Sequence, residues 1–298
     1  MTVESPRIRK LAIAVTFHFA PDRLQWLARI AREFPSFADE VDVHIACNRG
    51  DDEVRSLIDN ALEGTPHKLV VPTLLGHPYL LTWVHLSVFR TLFAGDESIT
   101  HFLYVEDDIL IEPRNVAYWL RSREALRPYG FIPSFLRYEI NHADGLEYSS
   151  DALERSIRDR LPSVAISPDY VYLSLPQPYQ GTYLMDRELM AEHLNGPSSS
   201  PDFGPWQIRE KAAQGLTFAA VPKGFLARNL VGFDLATGAL DRDCLIHHLP
   251  DNYANGHPGV PLGKTALQDL LTLTPRKRPL HRRILARLRR MLREWLVR

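Results

Sequence analysis

Three adjacent carboxylates, Glu106, Asp107 and Asp108, interrupt an apolar run that reads His101-Phe102-Leu103-Tyr104-Val105 before them and Ile109-Leu110-Ile111 after them. The flanks are short and rich in Val, Ile, Tyr and Phe, which suits buried strands. Adjacent carboxylates repel one another and are costly to desolvate, so folding alone gives no reason for them here. Two readings remain. The acids form a solvated turn at a strand end and cap the helix that starts near Pro113, or they hold a divalent cation. Hard oxygen ligands suit Mg²⁺ or Mn²⁺, and a bound cation offsets their repulsion.

Other candidates follow from the elements that must position these acids. Lys10–Phe19, Val41–Asn48 and Lys68–Pro72 read as strands, and helices from Pro21 to Phe34 and from Asp51 to Leu62 separate them. The first helix opens on Pro21 and stops at Pro35; Asp51-Asp52 cap the second and Gly64 ends it. His77–Arg90 reads as a helix under the sheet, with Leu81, Val84, His85 and Val88 on one face. The acidic stretch is then the end of a fourth strand. Such alternation predicts a parallel sheet with helices on its faces, and ligands lie at the carboxyl ends of such strands. His18 and Asn48, at the ends of the first two strands, join Glu106, Asp107 and Asp108 along that edge.

After a helix over 115–126, Gly130–Ile140 resumes strand character. Alternation puts Arg137 and Glu139 on one face, as an ion pair or as the lining of a ligand pocket. Residues 141–169 are polar, with one short helix expected around Ala152–Arg160. Val171–Leu175 and Gly181–Met185 are two more strands, separated by a turn long enough for a hairpin. Asp186 caps a helix over 187–194, and Asp202–Trp206 opens another. Trp206, Tyr179 and Tyr183 could stack on a ring or pack in the core. Cys244–Pro250 ends in the pair His247-His248, of which only one can point to a given side of a strand.

Composition narrows the class. Cys47 and Cys244 are the only cysteines and neither sits in a Cys-x-x-Cys, which predicts a reducing compartment without a disulfide framework. The first ten residues lack an apolar signal-peptide region, and no run of about 18 apolar residues occurs. The net charge of −1 conceals an asymmetry. Residues 275–298 carry ten Lys or Arg and one acid, a tail of +9; the rest, with 25 basic and 35 acidic residues, stands at −10. In the tail Leu280, Ile284, Leu285, Leu288, Leu292, Trp295 and Leu296 recur at helical spacing among arginines. That pattern suits a basic amphipathic helix on an anionic leaflet, through residues 276–298; docking on the chain's own domain, a partner or a nucleic acid are the rivals.

In order and content, residues Arg9–Leu271 resemble the GT-A glycosyltransferases. The resemblance rests on the alternating N-terminal half, on Tyr104-Val105-Glu106-Asp107-Asp108 as a DxD-type acidic motif, and on the late His247-His248. It implies an α/β GT-A-like fold, a mostly parallel Rossmann-like sheet flanked by helices. Residues 1–274 would form one catalytic domain, with a nucleotide-binding half over 9–112 and an acceptor-side half over 113–274. It implies a metal-dependent transferase (EC 2.4) that moves a sugar from a nucleotide-diphosphate donor to a glycan or lipid-linked acceptor in cell-surface polysaccharide synthesis. A divalent metal, Mn²⁺ or Mg²⁺, would bridge the two phosphates. Asp108, as the last motif acid, would be its direct ligand, and His247 or His248, with His247 preferred, would complete the site. Glu106 and Asp107 would serve the ribose or bound water. Asp202, with Glu210 further along the same helix, would be the general base of an inverting reaction. The expected place is cytoplasmic, peripheral on the inner membrane face, without nucleic-acid partners. The rivals are a sugar-phosphate nucleotidyltransferase and a non-catalytic docking protein. Thr16–Pro21, just after the first strand, has no glycine, which counts against the nucleotidyltransferase.

Overall fold

The computed structural model describes residues 7–73, 76–257 and 259–272. The expected amphipathic helix at 275–298 lies outside them. The architecture is α/β with mixed sheets. Strands β1 (Ile8–Phe17), β2 (Ala38–Cys47), β3 (His67–Val70) and β4 (His101–Glu106) pair in parallel in the order β4-β1-β2-β3. From Leu11 to Val15 every β1 residue is buried, which is why that strand is continuously apolar.

Helices α1 (Leu24–Ala31), α2 (Asp52–Ala61), α3 (Val84–Gly95) and α4 (Pro113–Leu126) connect or follow these strands. Their starts follow local chemistry. Pro21 opens a 3₁₀ turn, Pro21–Arg23, that leads into α1. The Asp51 side chain accepts from the Val54 N–H at 3.2 Å and caps α2. Glu112 and Asn115 form a reciprocal capping box at α4. Rings fill the space between α3 and the sheet: His85 lies on Tyr104 at 4.1 Å between centroids, Tyr104 stacks on Tyr183 at 5.4 Å, and His193 meets Tyr183 edge-on. Tyr183 is therefore a core residue, the second of the two fates the sequence left open for it.

The strand Thr182–Asp186 departs from the sequence reading. It pairs antiparallel with β4 at the edge of the main sheet. Its expected hairpin partner, the strand Tyr170–Leu173, pairs instead with Ser163–Ser167 and Asn229–Asp234 in a separate sheet. The helix expected over Ala152–Arg160 is replaced by a short strand, Ser156–Ile157, beside Leu271–Thr272, and a single 3₁₀ turn. Asp202 precedes any helix; the next one spans Ile208–Ala212.

A further mixed sheet completes the ligand edge. Leu136–Ile140 pairs in parallel with Leu245–His248, which pairs antiparallel with β5 (Ile109–Leu110). Asp107 and Asp108 are the whole link between β4 and β5, and so join the main sheet to this one. The Leu249 N–H donates to the Asp108 carbonyl at 2.9 Å and pins the link. Among the described residues no helix is long and apolar enough to cross a membrane.

Candidate functional site

A cavity of about 830 Å³ opens at the carboxyl ends of β1 and β4. Of the residues singled out by sequence, His18, Glu106, Asp107, Asp108, Arg137, Glu210 and His248 line it; Asn48, Glu139, Asp202 and His247 do not.

The acids have distinct partners. Arg23 donates to both oxygens of Asp107, from Nε at 2.8 Å and from Nη2 at 2.7 Å, and Nη2 also reaches Asp108 Oδ2 at 2.9 Å. Glu106 accepts from the Tyr179 hydroxyl at 2.9 Å. Burial pushes the Glu106 carboxyl upward, and the Asp108 charge adds to the shift. Asp107 moves the same way for the same two reasons, while the Arg23 fork pulls it back. Burial works against the Arg23 charge too, but the two aspartates outweigh it and Arg23 is held above the ordinary guanidinium value. The fork geometry identifies Arg23–Asp107 as an ion pair.

Asp108 faces His248. Its Oδ2 lies 3.8 Å from His248 Nε2, and its Oδ1 is buried with no hydrogen-bond partner among the described residues. His248 Nδ1 donates to the fully buried Glu139, whose second oxygen accepts from the Ala254 N–H at 2.6 Å. With Nδ1 committed to Glu139, the Nε2 edge of the ring is the one that faces Asp108. Tyr253 backs the imidazole, stacked at 5.3 Å. A carboxylate that orients a histidine from behind is the usual support of a metal-ligating imidazole. Among the described residues no three His, Cys, Asp or Glu side chains group as a ready cation cage. The donor set Asp108 and His248 fits a Mg²⁺- or Mn²⁺-type ion that takes its other ligands from phosphate oxygens and water.

His247 points the other way, so the preference for it is corrected. Its ring stacks on Tyr138 at 4.9 Å and its Nε2 bonds Asp251 at 2.8 Å. The strand pleat turns His248, not His247, to the cavity. Glu139 is likewise corrected: it sits behind His248 rather than in the cavity wall. The alternative of an Arg137–Glu139 ion pair fails as well, because Arg137 forks onto Asp151 at 2.5 and 2.9 Å. Arg137 also lies over the Tyr179 ring at 4.6 Å, and Asp151, Tyr179 and Trp206 join it in the cavity wall. Asn48 spends its side-chain oxygen on the Phe19 N–H at 2.8 Å, tying the end of β2 to the end of β1.

Asp202 is exposed in a turn and its helix never starts there. Glu210, in the helix Ile208–Ala212, does reach the cavity. One oxygen accepts from Arg209 at 3.2 Å and the other, Oε2, is buried without a partner among the described residues. The Asn252 side-chain oxygen is in the same state on the same cavity. Sequence reasoning missed Arg23, Asp151, Arg209 and Tyr253. Arg23 had a usable signal, since it follows the first strand by six residues, at the edge that drew attention to His18.

No protein-family model matches the chain, and no curated protein matches it.

Proposed function

We propose that the protein is a metal-dependent glycosyltransferase of GT-A type. It moves a sugar from a nucleotide-diphosphate donor to a glycan or lipid-linked acceptor. The observation that carries this reading is Asp108 opposite His248, braced by Glu139, at the carboxyl end of β4. A divalent cation held by Asp108 and His248 would neutralise the charge that grows on the leaving diphosphate. Glu106, held by Tyr179, and His18 line the same cavity, where the donor would lie.

Three buried acceptor oxygens, Asp108 Oδ1, Glu210 Oε2 and Asn252 Oδ1, lack partners among the described residues. Such groups call for donors or a cation, and hydroxyl-rich sugars bring donors. Glu210 is the residue suited to take the proton of the acceptor hydroxyl, in place of Asp202. The basic segment 276–298 fits a peripheral place on an anionic cytoplasmic leaflet, where a lipid-linked acceptor would be concentrated. Sedimentation with anionic vesicles tests that part; a chain cut after Thr274 that sediments as fully would refute it.

The main test is calorimetry with UDP and GDP, with and without Mn²⁺, followed by nucleoside diphosphate release from UDP-, GDP- and dTDP-sugars. Asp108→Ala should lose turnover. Full activity of that variant, or of the wild type in excess EDTA, overturns the metal mechanism. Pyrophosphate release from a nucleoside triphosphate and a sugar phosphate would instead identify a nucleotidyltransferase.

A further inference from the structure

Arg23 holds a position that the transfer reaction does not by itself explain. It contacts Asp107 through two nitrogens and Asp108 through one, on the same Asp108 oxygen that faces His248 Nε2. The two carboxylates are nearly closed off, with side-chain exposures of 4% and 10%, whereas that of Arg23 is 29%. The guanidinium therefore covers the acids from the solvent side. Its other face lies over the Trp26 ring at 5.0 Å, and both residues line the cavity. A cation held between Asp108 Oδ2 and His248 Nε2 would have to share that oxygen with this guanidinium.

We propose, building on the metal-dependent reading above, that Arg23 is a displaceable resident cation. It compensates Asp107 and Asp108 in the ligand-free protein, yields its Asp108 contact to an incoming divalent ion, and stays anchored by its fork on Asp107. Two contacts to Asp107 against one to Asp108 make the second the easier to release. Asp107 then has a role of its own, as the hinge post of Arg23 rather than a ligand. The Nη2–H released from Asp108 is then available to a diphosphate oxygen, its natural acceptor. Arg23 thus weakens metal binding to the empty protein and favours it once a nucleotide is present. Empty protein is in this way kept from holding the metal tightly, and metal and donor are taken up together.

The test is Mn²⁺ titration of the full chain, by calorimetry and by the loss of the free-ion EPR signal, with and without UDP or GDP. Arg23→Met keeps an unbranched apolar stem and removes the charge. Without nucleotide it should bind Mn²⁺ about tenfold more tightly than wild type, a coupling of ordinary size between two ligands of one group. By reciprocity, saturating Mn²⁺ should shrink the stability difference between wild type and variant. With nucleotide the advantage should vanish or reverse. Equal or weaker Mn²⁺ binding by nucleotide-free Arg23→Met overturns the proposal. If that variant does not fold, Arg23→Lys decides: a lysine keeps the charge but cannot fork onto Asp107 and bridge to Asp108. It should bind Mn²⁺ more tightly than wild type, and unchanged affinity refutes the idea. Wild-type protein that takes up no Mn²⁺ even with nucleotide fails the metal-dependent reading, and the inference falls with it. Uptake by wild type with no change in either variant overturns the inference alone.

Discussion

Acid should unfold this protein through two buried histidines, neither of them in the cavity wall. His85 and His193 are both buried. His85 Nδ1 donates to the Thr82 carbonyl at 2.6 Å and His193 Nδ1 bonds the Ser198 hydroxyl at 2.7 Å. Neither Nε2 has a hydrogen-bond partner among the described residues, so nothing there welcomes a proton. Burial lowers both pKa values from 6.5 to about 3. The sign follows from which state binds the proton first. Below 6.5 the unfolded chain takes up both protons while the native state stays neutral, so stability falls as the pH falls, until the native pKa is passed. The loss is about 1.4 kcal/mol per pH unit per histidine, or roughly 2 kcal/mol each at pH 5. Together the pair should cost about 4 kcal/mol between pH 7.5 and pH 5, on the order of 8 °C in melting temperature. Other groups titrate in this window, so the informative quantity is a difference. Urea unfolding of wild type and of the His85→Phe/His193→Phe variant, at both pH values, isolates the histidines. The stability difference between the two proteins should swing by about 4 kcal/mol in favour of the variant on acidification. A difference that stays constant within about 0.5 kcal/mol would refute the assignment of two neutral, buried imidazoles.

Three further outcomes bear on the cavity. Arg137→Met leaves the Asp151 carboxylate buried and uncompensated and should destabilise the protein by about 3–5 kcal/mol; in denaturant melts, Arg137→Met/Asp151→Leu should recover much of that loss. Glu139→Ala removes the brace of His248 and should weaken Mn²⁺ binding in the presence of nucleotide by about 10–100-fold, with unchanged calorimetric affinity as the contrary result. Glu210→Gln should lower kcat by about 100-fold or more with donor binding intact. Asp202→Asn should be silent in the same assay, and the reverse pattern would return the general base to Asp202.

Parts of this architecture were legible in the residue order because they rest on local pattern. The strands β1 and β4 advertise themselves as apolar runs, β2 by Val41, Val43 and Ile45 at every second position, and Asp51 and Asp186 as caps. The three acids stood out because nothing in strand formation asks for them. What failed depended on contacts across the chain. The strand Thr182–Asp186 carries no local mark that it belongs beside β4 rather than beside its neighbour in sequence. Ala152–Arg160 has residues fit for a helix, but pairing of Ser156–Ile157 with Leu271–Thr272, over 110 residues away, prevails. Alternation said that one of His247 and His248 faces the cavity; only the pairing partners decide which. Arg137 met Asp151 rather than Glu139 because Glu139 was already committed to His248.

The two-residue link between β4 and β5 also bears on how the protein is made. Asp108 belongs to the first half of the chain, while His248 arrives on a strand 140 residues later, which must pair with both β5 and Leu136–Ile140. During synthesis the acids therefore emerge long before their imidazole. Assembly of the site and closure of that sheet are one event. A chain interrupted before Leu245 has neither, so no partial product can carry the complete Asp108–His248 pair.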